Sequence, residues 1–387
     1  MAVHPFPRSA ARPANTPRKL RLGFLSPHNA LDRRCFSGTP FFTARALAAR
    51  PDIDLRLIGA HRAPSRFDRL LRRKAPDIRV TPQDLTGLDA VVGVVATSLL
   101  DPLPGLAPRL PYLHVTDATP QFLRSAYGWA VPDGADAAET RVADRAALCV
   151  YSSAEMAARA PRDLGLARLS ATWQPFGANF ETLPDGPADK PPLDRIELLF
   201  VGLDWVRKGG DVAVATLDAL IAAGHAARLT IVGRCPDRHR AHPAIRSVGF
   251  LDKNRPKSAR RLARLFARSH LLLLPSRADC TPIVVAEAMA HGTPVLATDT
   301  GGIRNQIGAA GAGRLMPPFA TPATWAAAIA EITGDPDAYR MLSDAAFDRA
   351  ATHLSWDAWA DGIIRLAWQY VVSPAPAWPE TRPMHGT

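Results

Sequence analysis

The sequence predicts an α/β protein built on parallel sheets and divided into two domains, and three observations predict it. First, Leu271 to Leu274 is a run of four leucines ending at Pro275, the length of a strand buried on both faces. Second, the polar run Ser276 to Thr281 leads from it into a helix, with Pro282 suited to the first turn and Ile283, Val284, Ala286 and Met289 at helical spacing before Gly292 and Pro294. Third, Val295 to Ala297 begins another strand at once, so the two strands run parallel with a site at their carboxyl ends. A chain of 387 residues is long enough for two such units with separate cores.

Composition narrows the function classes. No apolar run approaches the roughly 18 residues of a membrane span, and the first twenty residues carry arginines and prolines without an apolar core, so no secretory signal is expected and a cytoplasmic location follows. The four cysteines, Cys35, Cys149, Cys235 and Cys280, include no C-x-x-C pair, which argues against a zinc site or a disulfide framework. The formal charge is +11, and it is uneven: residues 1–180 hold 24 Lys/Arg against 15 Asp/Glu (net +9), residues 181–387 hold 23 against 21 (net +2). An anionic partner is therefore expected at the first half. No zinc-finger, RNP or basic-zipper pattern accompanies the charge, so nucleic acid is not the expected partner; a membrane surface or an acidic acceptor is.

In order, residues 1–18 read as a disordered leader and 19–180 as the first domain. Leu20 to Leu25 is its first strand, leading through Ser37, Gly38 and Thr39 to a helix from Phe41; Gly38 lets the backbone approach a ligand and its neighbours add hydroxyls. Asp54 to Gly59 is the second strand. Residues 66–74 put five cations around Phe67, Leu70 and Leu71, a basic amphipathic pattern with two open readings: a solvated helix face, the commoner case, or docking on anionic lipid at the inner face of the membrane. Ala90 to Ala96 and Pro111 to Val115 are further strands, the latter holding His114 and followed by Asp117 and a helix with Arg124 and Tyr127. Strand alternation does not settle whether His114 or Asp117 faces a cleft; the loop position favours Asp117, and His114 suits a core histidine. Leu148 to Ser152 is the next strand, and Trp173 to Asn179 closes the domain.

Residues 181–194, polar and Pro-rich, form the linker to a second domain at 195–355. Ile196 to Val201 is its first strand, and Gly202 to Gly210 carries Arg207 and Lys208 between glycines, a pairing suited to a diphosphate. Leu229 to Val232 is the next strand, and Val248 to Lys253 a loop with Phe250 and Leu251. After the signature stretch come helices near 322–333 and 336–353, a last amphipathic helix at 356–372, and a tail at 373–387. Asp52 and Asp54, and Asp335 and Asp337, form D-x-D pairs, but one leads into a strand and the other starts a helix, so no metal is expected.

Pro275, Ser276, Asp279, Glu287, Ala288, Met289, Ala290, Gly292, Pro294, Val295, Gly301 and Gly302 together resemble the signature of the family-four retaining glycosyltransferases, the glycogen-synthase-like group with the GT-B fold. That resemblance implies two Rossmann-like domains with parallel sheets facing a central cleft and a C-terminal helix crossing back to the first domain. It implies Glu287 on the ribose hydroxyls, Asp279 with the amides of Ile283 and Val284 near sugar and phosphate, Lys208 on the diphosphate, and Phe250 or Leu251 beside the base. The Gly38 loop with Thr39 would close over the donor, and the region of His114, Asp117 and Arg124 would meet the acceptor. Two positions depart from the pattern: Asp279 stands where Glu is usual, and Leu203 and Asp204 follow Gly202 where an Arg is usual, with Arg207 as its replacement.

The resulting expectation is a metal-independent retaining transferase, moving a hexose from a UDP- or GDP-sugar to a hydroxyl of a glycan, lipid or other acceptor, with Asp279, Lys208, Arg207 and Asp117 as its reacting groups. No cofactor beyond that substrate is expected. The alternatives are an epimerase or phosphorylase on the same scaffold, or a nucleotide-sugar binder without transferase activity.

Overall fold

The computed structural model describes residues 18–59, 78–308 and 311–372. Most of the expected leader, the basic stretch 66–74 and the tail lie outside the described residues. Two six-stranded sheets organise the rest, every strand pair parallel. The first contains β1 (Leu20–Leu25), β2 (Ile53–Leu57), β3 (Ala90–Val94), β4 (Tyr112–Thr116), β5 (Leu148–Tyr151) and β6 (Ala171–Trp173), in the order β2-β1-β3-β4-β5-β6. The second contains β7 (Ile196–Gly202), β8 (Ala227–Gly233), β9 (Ile245–Gly249), β10 (Leu271–Leu274), β11 (Val295–Thr298) and β12 (Gly313–Met316), in the order β12-β11-β10-β7-β8-β9. The fold is GT-B, as the signature implied.

Each order reverses once, between β1 and β3 in the first sheet and between β7 and β10 in the second. At such a point the loops from neighbouring strand ends diverge and leave a crevice. The loop after β7 carries Arg207 and Lys208 and the loop after β10 carries Asp279, so both flank the second crevice. The four leucines of β10 are fully buried, as their unbroken apolar run requires of a strand covered on both faces.

The two halves are joined by the last helix, Trp356–Val372. Its Trp359, Ala360, Ile363, Ile364 and Ala367 are buried in one cluster with Leu22, Phe24, Phe42 and Leu47 of the first domain. Trp356 lies 6.3 Å from the Phe42 ring and 5.8 Å from Phe176. Chain entry is fixed by Ala178 N–H donating to the Leu354 carbonyl. The apolar face of this helix thus completes the core of the domain in which the chain began.

Trp359 is fully buried. Truncating a large buried aromatic leaves a cavity its neighbours cannot fill, at about 3–5 kcal/mol. Trp359→Ala is therefore expected to lower the unfolding free energy by that amount, read as a lower urea midpoint, an unchanged midpoint showing that the helix does not complete this core.

Candidate active site

The loops after β7 and β10 are stitched together by their own backbones. Arg277 N–H donates to the Arg207 carbonyl at 2.8 Å. Gly209 opens the helix Gly210–Ala222 with φ 73°, and a Cβ there would run into the Pro275 carbonyl, so only glycine permits this approach. Lys208 is thereby held with its Nζ 2.6 Å from Asp279 Oδ2, to which Ser276 Oγ also donates at 2.9 Å. Arg207 Nη1 reaches Asp279 Oδ1 at 3.4 Å and the Ala278 carbonyl at 3.0 Å. Asp279 is almost wholly buried, so its charge rests on these donors.

Glu287, in the helix Ile283–Met289, is also buried and pairs with Lys253 Nζ at 2.6 Å. Burial pushes the Glu287 carboxyl above its usual range, and Lys253 offsets part of the rise. Lys253 donates as well to the Ser37 carbonyl of the first domain at 3.4 Å. Beside it, Asn254 donates to Asp32 Oδ1 at 3.0 Å and accepts from Arg33 N–H at 3.2 Å.

The first domain contributes the opposite wall. Asp117, in the loop after β4, faces the cleft, and burial, with a smaller push from the Asp279 charge, raises its carboxyl to about 6. Tyr127 ends the helix Pro120–Tyr127, and its hydroxyl accepts the Cys280 backbone N–H at 2.7 Å. The Arg207 guanidinium lies 4.5 Å over the Tyr127 ring. The whole encloses about 510 Å³, within the usual span of about 300–1,000 Å³ for small-ligand sites.

Of the expected residues, Thr39, Asp117, Gly202, Arg207, Lys208, Phe250, Leu251, Asp279, Ile283, Val284 and Glu287 line this one cavity. Three do not. His114 is fully buried with Nε2 2.8 Å from Glu139 Oε1, because its side chain points to the sheet face covered by the helix Ala135–Arg145. Arg124 points outward to Asp136 at 2.5 Å. Gly38 caps the helix Thr39–Ala48 from behind the loop. Pro282 is the N-cap rather than a first-turn residue, and the helix it opens is two turns long.

Gly301 and Gly302 likewise act by support. Gly301 has φ 53° and a Cβ would strike the Asp279 carbonyl, while Gly302 packs on Cys280, Thr281 and Ser153 of the first domain. Lys253 and Tyr127 enter the site without having been singled out. Lys253 was legible only as the end of the Phe250 loop, and Tyr127 only as an aromatic at a helix end before Gly128. Among the described residues no group of three His, Cys, Asp or Glu side chains stands in metal-binding geometry, and no helix is long and apolar enough to cross a membrane.

Residues 195–335 match the family described as glycosyl transferases group 1. A D-inositol 3-phosphate glycosyltransferase of Segniliparus rotundus is 29% identical over 180 residues, 45% of this chain and 39% of that protein, so the chain spans less than half the length of that relative. Among solved structures, sucrose-phosphate synthase from Thermosynechococcus elongatus superposes with a TM-score of 0.66 at 18% identity, covering 92% of this chain and all of the other. Anabaena HepE, solved with UDP and glucose, superposes with 0.58 at 13% identity, covering 89% and 98%. The family and these curated relatives are glycosyltransferases, and the likeness to the solved structures is one of fold.

The raised Asp117 carboxyl has a stability signature. Between its ordinary value near 3.8 and about 6 the folded chain holds a proton that the unfolded chain has released, so this group's contribution to stability falls as pH rises through that window. Asp117→Asn is expected to stabilise the protein by about 1–2 kcal/mol at pH 7.5 and to be neutral near pH 4, read from urea melts. A gain of the same size at both pH values would show that Asp117 titrates normally.

Proposed function

We propose, from the match of residues 195–335 to the glycosyl transferases group 1 family, that the chain transfers a sugar from a nucleoside diphosphate donor to a hydroxyl acceptor with retention at the anomeric carbon. The observation that carries this reading is the meeting of two carboxylate–lysine pairs, Lys208–Asp279 and Lys253–Glu287, in one cleft with Asp117 on the opposite wall. A donor laid along the cleft would put its ribose at Glu287, its base beside Phe250 and Leu251, and its diphosphate at Lys208, Arg207 and the amides of Ile283 and Val284. Those amides sit in a first helical turn, where N–H groups lack intrahelical acceptors.

The chemistry follows from the charges. As the glycosidic bond lengthens, negative charge collects on the leaving phosphate, and Lys208 and Arg207 turn from Asp279 to meet it. Asp279, released, accepts from the sugar hydroxyls. The acceptor oxygen bonds to the anomeric carbon on the face the phosphate is leaving, and the departing phosphate oxygen takes the acceptor's proton. Asp117, ionised at neutral pH, faces the positive charge that builds on the ring. The acceptor is a glycan or lipid hydroxyl met by the first domain, and the donor base is uracil or guanine.

Lys208→Ala is expected to lower turnover by about 100-fold or more, as loss of a transition-state donor does elsewhere, with Arg207→Ala less affected. The test is product release from UDP-glucose, UDP-N-acetylglucosamine and GDP-mannose over a panel of acceptors, with product anomers assigned by NMR. EDTA should leave the rate unchanged. A Lys208→Ala variant at full rate, an inverted product, or nucleotide-sugar binding without transfer to any acceptor would overturn the reading.

A further inference from the structure

A hydroxyl of the first domain, that of Tyr127, reaches across the cleft to the Asp279 loop. The Cys280 backbone N–H, directly after Asp279, donates to Oη of the cavity-lining Tyr127 at 2.7 Å, and the same oxygen lies 3.5 Å from Asp279 Oδ1. A hydroxyl that accepts from an N–H and donates to a carboxylate has the hydrogen-bonding pattern of a sugar hydroxyl. It also reaches the Asp279 oxygen, Oδ1, on which the donor reading places a sugar hydroxyl. Burial pushes the Tyr127 phenol well above its ordinary value, so it remains a neutral donor and acceptor.

We propose that Tyr127 is a specificity residue of the donor site which holds the place of one sugar hydroxyl, so that a nucleotide sugar binds only by displacing it while a bare nucleoside diphosphate does not. This rests on the donor-site reading above. Three features let it act as a removable stand-in. Tyr127 is the last residue of its helix, followed by Gly128 in the left-handed conformation and by exposed Trp129. Its helix is anchored at the other end, where Thr119 caps Phe122 N–H and donates to Asp163 at 2.7 Å. The stacked Arg207 is itself one of the cations that must turn toward a phosphate. Displacing the phenol thus frees the Cys280 amide and the Asp279 Oδ1 face together, whereas a bare diphosphate, met by Lys208 and by Arg207 turning from Asp279, leaves that hydroxyl in place.

The test is calorimetric binding of UDP, UDP-glucose, GDP and GDP-mannose to the full chain and to Tyr127→Phe and Tyr127→Ala. The Phe variant keeps the ring over Arg207 and removes only the hydroxyl. Losing the competing hydrogen bonds should improve affinity for the sugar-bearing ligand relative to its bare diphosphate about three- to tenfold in Tyr127→Phe and more in Tyr127→Ala. A ratio unchanged or lowered in both variants, with diphosphate binding intact, overturns the proposal and leaves the donor site standing. If the unaltered chain binds none of the four compounds, the donor-site reading fails and the proposal with it.

Discussion

The structure depends on holding one carboxylate, Asp279, against two cations from a different loop. An isolated charge at that depth would be severely penalised by the loss of water, and so would Lys208 without its partner. Paired, each offsets the other, and Ser276 and the Arg207 guanidinium satisfy the remaining lone pairs. The arrangement keeps the cations aimed and dry, so on the proposed reading a diphosphate would substitute for Asp279 rather than organise the site from a solvated state. What fixes the geometry is the close approach of two backbones at the reversal of strand order, with Gly209 against Pro275 and Gly301 against Asp279.

A second chain of contacts carries the end of the molecule to the rim of the cleft. The loop over the cleft holds Phe36 and Ser37 at φ 45° and 58°, a left-handed backbone that costs about 1–2 kcal/mol per residue in an L-amino acid. It persists because Asn179 donates to the Ser37 carbonyl at 2.8 Å while its own Oδ1 accepts from Trp356 Nε1 at 3.0 Å. Trp356 begins the helix that crosses back. Packing of that helix on the first domain therefore bears on a loop touching the Lys253–Glu287 pair of the second.

Much of this was legible in the residues, and what was not shares a physical cause. The strands read as continuous apolar runs, such as Leu271–Leu274 and Val295 to Ala297, lie inside the sheets. β6, β9 and β12, which went unread, are edge strands with polar or partly exposed residues such as Arg246, Ser247 and Arg314, and an edge needs no unbroken apolar face. The helix Ile303–Ile307 is too short for its period to show. At the site, Asp279, Lys208 and Glu287 stood out because a local pattern carries them. Lys253 and Tyr127 did not, because each gains its role from a residue 34 or more than 150 positions away. The glycine pair 301–302 was visible, but its task of supporting the Asp279 loop was not.

The charge balance across the cleft also explains why two acids can share it. Asp279 is neutralised from its own domain, and Asp117, without a cationic partner among the described residues, takes the cost as a raised proton affinity. On the proposed reading, a diphosphate that draws Lys208 and Arg207 away would leave both carboxylates facing the sugar with less compensation. That ground state would be electrostatically uncomfortable, and relief would come from positive charge on the anomeric carbon as the bond to phosphate breaks. Interactions that strengthen only as the transition state forms are the ones that accelerate a reaction. Two acids poised on opposite walls, and two cations shared between carboxylate and phosphate, are an arrangement in which substrate binding itself sets up that difference.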